Sequence, residues 1–328
     1  GSRLVVEVDE RWTLLPMFQL SQGGGTRRII AGFSDINMFG RYLELGAKYQ
    51  RLGETNSFYG WVRKPQFLGY RLAVGALGGT QNSTLFFFDD QAAANNGFLL
   101  TRNLAEVFVD KEWTWWLYSQ LTLRYGRESF SLQYIGDDDV EDRQRDVGLP
   151  EKQEILTPSL SLQLGRIDEH NYRFDGKSIS ASWTGATDAV VSDKGFQTVQ
   201  STVSYYELLP WKGNLATQFG AGYTTADSPN RLFFLGGLDS VRGFQYNQFA
   251  GDSYWLFNAE YRIASIDNPY VVLQHTAFVD AGGIGALPEE ARAPGLSSNN
   301  FWGLKAASTG VGVRLIVPKV RTFIVRFY

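Results

Sequence analysis

Little in this chain is equipped for bond-making chemistry. The 328 residues contain no cysteine and two histidines, which removes disulfide frameworks and thiolate metal sites from consideration. His170 sits beside Asp168 and Glu169 in a turn-like stretch, and His275 falls on the apolar parity of an alternating segment. A histidine near acids in a turn is far more often solvated than a general base. No G-x-S-x-G nucleophile motif occurs, so neither catalysis nor a bound cofactor or metal is expected. Electrostatic anchoring is the chemistry that remains. Glu260 and Asp280 lie on successive alternating segments, each on the parity opposite to the apolar one. Two carboxylates sharing one low-dielectric space repel, and a guanidinium with its fork of donors is their natural partner. The acidic run Asp137-Asp138-Asp139 with Glu141 and Asp142 reads as a solvated loop, a bridge to divalent cations or lipopolysaccharide being the alternative.

The elements that would position these groups are strands. Period-2 alternation recurs along most of the chain: Leu43, Leu45, Ala47 and Tyr49 alternate with Glu44, Gly46, Lys48 and Gln50. Leu160, Leu162 and Leu164 alternate with Ser159, Ser161 and Gln163, and Ile179, Ala181 and Trp183 with Ser178, Ser180 and Ser182. A soluble sandwich and a membrane barrel both fit that local pattern. Three features favour the barrel. Strands recur at a spacing suited to tilted spans of about 9 to 11 residues. Aromatic residues gather at strand ends, as in Trp113, Trp115, Trp116 and Tyr118, Tyr205 and Tyr206, or Tyr254 and Trp255. The last segment, Arg321 to Tyr328, is amphipathic with an aromatic end. No apolar run approaches the roughly 18 to 20 residues of a spanning helix, so any membrane residence must be as strands. The formal charge of −3 shows no basic stripe and gives no reason to expect nucleic acid.

The alternation predicts strands over 11–21, 26–35, 41–52, 57–67, 70–80, 99–111, 116–134, 155–166, 177–187, 196–207, 213–225, 253–263, 270–281, 304–316 and 321–328. Long connections are predicted at 81–98, 136–154, 226–252 and 282–303. Within 116–134 the apolar parity switches from Leu121, Leu123 and Tyr125 to Phe130, Leu132 and Tyr134, which predicts a bulge near Gly126. No domain boundary interrupts 1–328, and Gly1-Ser2 reads as a cloning remnant. The fold class is therefore all-β, a transmembrane antiparallel barrel. Fifteen strands are read, eleven before Val241 and four after it, whereas antiparallel closure requires an even number.

Val241-Arg242-Gly243-Phe244, followed downstream by Phe278-Val279-Asp280-Ala281-Gly282, resembles the signature of the outer-membrane assembly and secretion barrels, the family of BamA, TamA and FhaC. Glu10 to Pro16, Gly23-Gly24-Gly25 and Asp35 to Gly40 look like that family's first hairpin. Arg63 to Gly69 is similar to the turn after its fourth strand. The resemblance runs from about Val5 to Tyr328, with the interior strands matching in pattern alone.

That resemblance implies a loop about 226–252 folded back into the barrel, with glycines 236, 237 and 243 easing its path and Arg242 set against Glu260 and Asp280. It further implies a family-like sixteen strands, so that either the closing strand is missing and the seam is open or partner-filled, or the barrel is a smaller even-numbered one. The seam would involve Trp12, Phe18, Phe323 and Phe327. The implied location is the bacterial outer membrane, among lipid and lipopolysaccharide, and the implied activity is non-enzymatic insertion of unfolded outer-membrane polypeptides through that seam. A secretion pore and a passive anchor for an N-terminal domain are the alternatives. The POTRA modules usual before such barrels would be cut away or naturally missing; oligomeric state is left open.

Overall fold

A computed structural model describes residues 12–23, 25–88, 94–132, 151–188, 192–287, 303, 305–318 and 323–328. The first hairpins are β1 (Leu14–Gly23) with β2 (Thr26–Asp35) and β3 (Glu44–Leu52) with β4 (Thr55–Lys64). Longer strands follow: β5 (Leu72–Phe88), β6 (Ala94–Thr114), β7 (Leu117–Leu132), β8 (Gln153–His170), β9 (Arg173–Ala186), β10 (Phe196–Leu209) and β11 (Gly213–Thr224). A small ribbon of β12 (Phe233–Leu235) and β13 (Phe249–Gly251) precedes β14 (Ser253–Asp267), β15 (Val272–Ile284), β16 (Ala306–Val317) and β17 (Phe323–Phe327). All but β12 and β13 join one closed barrel of fifteen strands.

Side-chain alternation explains why the sheet closes in a membrane. Leu160, Leu162, Leu164, Ile179, Trp183, Val199, Val203, Phe219, Phe257, Val279 and Val311 all point outward and are exposed. Their inward neighbours are small or polar, such as Ser178, Thr157, Thr122 and Asn214, all buried. A continuous apolar outer band over a polar interior is the inverse of a soluble fold and is stable only against lipid.

The number of strands is the one read from the alternation, eleven before the loop and four after it. Closure differs from both expectations. An odd number of up-and-down strands makes the first and last run the same way, and β1 pairs with β17 in parallel from Phe18↔Phe323 to Gln22↔Phe327. The seam is thus neither open nor an antiparallel ladder. Trp12 takes no part in it: the ladder starts at Phe18, and Trp12 lies before β1 with its ring exposed.

Two local expectations are also corrected. Register runs unbroken through Leu104↔Gly126, and the irregularity between β6 and β7 falls at Glu112/Thr114. The parity switch needs no bulge because Phe130 and Leu132 point inward, packing on Leu85, Phe98, Leu100, Leu232, Ala250 and Leu287. At that end of the barrel the interior is apolar. Nor is 81–98 a long connection, since β5 and β6 stay paired from Leu72↔Lys111 to Phe88↔Ala94. The Gly, Asn and Ser residues there look like turn formers but extend the hairpin. The acidic run at 137–142 lies outside the described residues.

Candidate functional site

The loop between β11 and β14 is built to enter the barrel. After Thr224 it makes a short turn at Pro229–Arg231, then forms the β12–β13 ribbon. Gly236 turns the chain at φ 111°, where an added Cβ would lie 2.3 Å from the carbonyl oxygen of Gln245. Any side chain would force the two limbs apart. Gly236 N–H donates to Ser240 Oγ at 2.7 Å, fixing the turn before Val241. Val241 is fully buried against Gly282, whose own missing Cβ leaves the room: one built there would come within 3.3 Å of the Val241 side chain.

This docking delivers Arg242 to the inner wall. Its Nε and Nη2 donate to Asp280 Oδ2 and Oδ1 at 2.8 and 2.7 Å, and its backbone N–H reaches Asp280 Oδ2 at 3.1 Å. Nη1 donates to Glu260 Oε2 at 2.6 Å. Asn258 Nδ2 bridges Asp280 Oδ1 and the carbonyl of Ser240, each at 2.7 Å. Glu260 also accepts Arg262 Nε at 2.7 Å, with Arg314 Nη1 3.7 Å away. Alternation places these groups together, because β14 and β15 are in register at Asn258↔Asp280 and Glu260↔Phe278, and even positions on both strands face in. Burial alone would weaken the charge on Arg242, which belongs to the loop and not to a spanning strand. The hydrogen bonds and charges of Asp280 and Glu260 outweigh that, so the guanidinium is held more firmly protonated than in water.

The remaining motif residues support the loop. Gly243 has φ 89°, and Phe244 stacks edge-on against Phe249 at 5.4 Å between ring centroids. Farther along, the loop tip touches both sides of the seam. Asp239 pairs with Arg28 on β2, and Leu238 covers Gly23 on β1. The Arg242 guanidinium carbon lies 4.8 Å from the ring centroid of Tyr328, the residue after β17. Phe18, Phe323 and Phe327 take register positions in the β1–β17 ladder.

Sequence parity put Asn258 and Arg262 in the lumen with Glu260, but it did not assign them, or Arg314, Tyr328 and the Arg28–Asp239 pair, to this site. Asn258, Arg262 and Arg314 stand on the lumenal parity of strands already read, so their parity was the available signal. For Asp239 and Arg28 no sequence signal exists, because 211 residues separate them. Among the described residues no group of three or more His, Cys, Asp or Glu could hold a metal ion, and no helix is long and apolar enough to cross a membrane.

Comparison with known proteins places this arrangement. Residues 37–322 match the model of the Omp85 superfamily domain. The crystal structure of BamA from Haemophilus ducreyi lacking POTRA domains 1-3 is 17% identical with a TM-score of 0.64, over 93% of this chain and 64% of that one. CdiB from Escherichia coli is 14% identical with a TM-score of 0.65, over 94% of this chain and 57% of that one. CdiB from Acinetobacter baumannii is 14% identical with a TM-score of 0.59, over 93% and 53%. No curated protein matches the chain by sequence. At these identities the likeness is one of fold, and the chain spans less than two thirds of the length of each of these three structures. With the matched domain covering most of its length, this chain belongs to the Omp85 superfamily and is a β-barrel of the bacterial outer membrane.

Proposed function

We propose that this barrel promotes the insertion of unfolded outer-membrane polypeptides by admitting a client strand at the β1–β17 seam. One observation carries the reading: among the described residues β17 is held by five register pairs on each side, whereas β15 and β16 share eleven. An unfolded strand entering the bilayer brings unpaired backbone donors and acceptors, each costly in hydrocarbon, and a sheet edge is the remedy. Displacing the short β17 contacts exposes the edge of β1, which pairs with the client by strand addition. The Arg242 loop supports the same reading, since its tip touches β1, β2 and Tyr328 and so senses whether the seam is closed. Insertion of this kind consumes no nucleotide and needs no catalytic side chain.

The test is reconstitution of the barrel in liposomes and measurement of the folding rate of a second, unrelated outer-membrane barrel added from urea. Acceleration over empty liposomes supports insertion. No acceleration, together with large single-channel currents in planar bilayers, would replace it with a secretion pore.

A further inference from the structure

The loop has a second buried attachment, on the far side of the lumen from Asp280, and nothing in the reading above uses it. Glu128, on the inward face of β7, is 2% exposed. It accepts Arg102 Nε from the neighbouring strand β6 at 2.7 Å, and from the loop it accepts Arg231 Nη2 at 2.9 Å and Asn230 Nδ2 at 2.5 Å. Arg231 also lies over the ring of Phe196 on β10, 4.7 Å from its centroid. Two apolar clusters seal the surroundings: Leu232 and Ala250 of the loop pack on Leu85, Phe98 and Leu100, while Ala226 packs on Ile155 and Phe196. A carboxylate this dry cannot exchange its partners for water cheaply, so its bonds to Asn230 and Arg231 hold the entering limb of the loop to the wall.

The two attachments share no residue. Arg242, Asn258 and Glu260 surround Asp280, whereas Arg102, Asn230 and Arg231 surround Glu128. They also stand on strands far apart in the barrel order, β15 and β7. We propose that Glu128 is a positioning residue that clamps the entering limb of the loop independently of the Arg242–Asp280 clamp. The loop is then a strap fixed at two ends, and either end can be released while the other holds. This goes beyond the insertion reading and does not depend on it.

Thiol labelling tests the proposal directly, because the chain has no cysteine of its own. Single reporters are placed by Ala250→Cys, in the apolar cluster near the Glu128 clamp, and by Val241→Cys, beside the Asp280 clamp. Labelling by a membrane-impermeant maleimide is followed on barrels whose heat-modifiable gel mobility shows them folded. Glu128→Gln should raise the rate at the Ala250→Cys reporter by about tenfold, the loss of one or two charge-assisted bonds, and leave the Val241→Cys reporter unchanged. Asp280→Asn should do the reverse. Glu128→Asp should restore slow labelling in part. An unchanged rate at the Ala250→Cys reporter, or equal acceleration at both reporters, overturns independent clamping. If Glu128→Gln does not fold, Arg231→Gln keeps the Arg102–Glu128 wall pair and is judged by the same two rates. No client polypeptide is present, so this result and the insertion assay can fail separately.

Discussion

Arg242 lies over the ring of Phe278, 3.6 Å from guanidinium carbon to ring centroid, and Phe278 is two residues from Asp280 on the same inward face of β15. One strand thereby offers the cation both an aromatic surface and a carboxylate fork, a pair of demands that a planar guanidinium meets and an ammonium does not. Arg242→Ala should cost about 3 to 5 kcal/mol, because it strands buried carboxylates. Arg242→Lys should recover less than half of that loss. Equilibrium unfolding in urea with detergent micelles measures both, and full recovery by lysine would contradict the planar-fork account.

The outer band gives a second expectation. Leu162→Arg or Trp183→Arg, on the lipid face, should cost about 2 to 4 kcal/mol if near the midplane, while Ser161→Arg, facing inward, should cost much less. Folding equilibria in thin liposomes compare the three. Equal losses would mean that the assigned faces are interchanged.

Across the seam, Leu20 and Val325 are register partners on adjacent parallel strands. The double substitution Leu20→Cys and Val325→Cys should form a disulfide on oxidation and stop client insertion in the liposome assay, with recovery on reduction. Undiminished insertion by the oxidised barrel would rule out passage between β1 and β17.

The rim of short turns carries Trp12, Phe39, Leu68, Trp115 and Trp211, all strongly exposed. Phe39, Leu68 and Trp211 hold positive φ, at 58°, 54° and 55°, a conformation that costs a bulky residue about 1 to 2 kcal/mol. Burial of these side chains in the membrane interface would offset that cost. A variant retaining Trp211 as its sole tryptophan should therefore lose fluorescence to lipids brominated near the headgroup, more than to lipids brominated at the chain ends. Quenching by aqueous iodide alone would place that rim in water.

Much of this architecture was legible because lipid outside and polar lumen inside impose a period of two on every span. Glu260 and Asp280 could be placed on one face from parity alone. What parity cannot carry is register across a gap in sequence: the parallel pairing of β1 with β17 leaves no mark in either segment. Glu128 was hidden for a related reason. A bulge at Gly126 would have turned it toward lipid, and the apolar Phe130 and Leu132 that suggested the bulge instead pack beneath the loop. The alternation there marked which residues are apolar but not the face they take, because the loop and not lipid covers them. The extension of β5 and β6 was missed because Asn82 and Ser83 favour turns in isolation, while here cross-strand pairing overrides that preference.

An odd strand number also gives the seam a sense of direction. Between β1 and β17, which run the same way, a guest running the opposite way would meet two antiparallel neighbours and exchange one slanted ladder for two perpendicular ones. A guest of the other orientation would gain two slanted ladders and nothing in bond geometry. For clients entering by the proposed seam route, the barrel would thus read the heading of an arriving chain before any of its side chains, a vectorial filter written wholly in backbone hydrogen bonds.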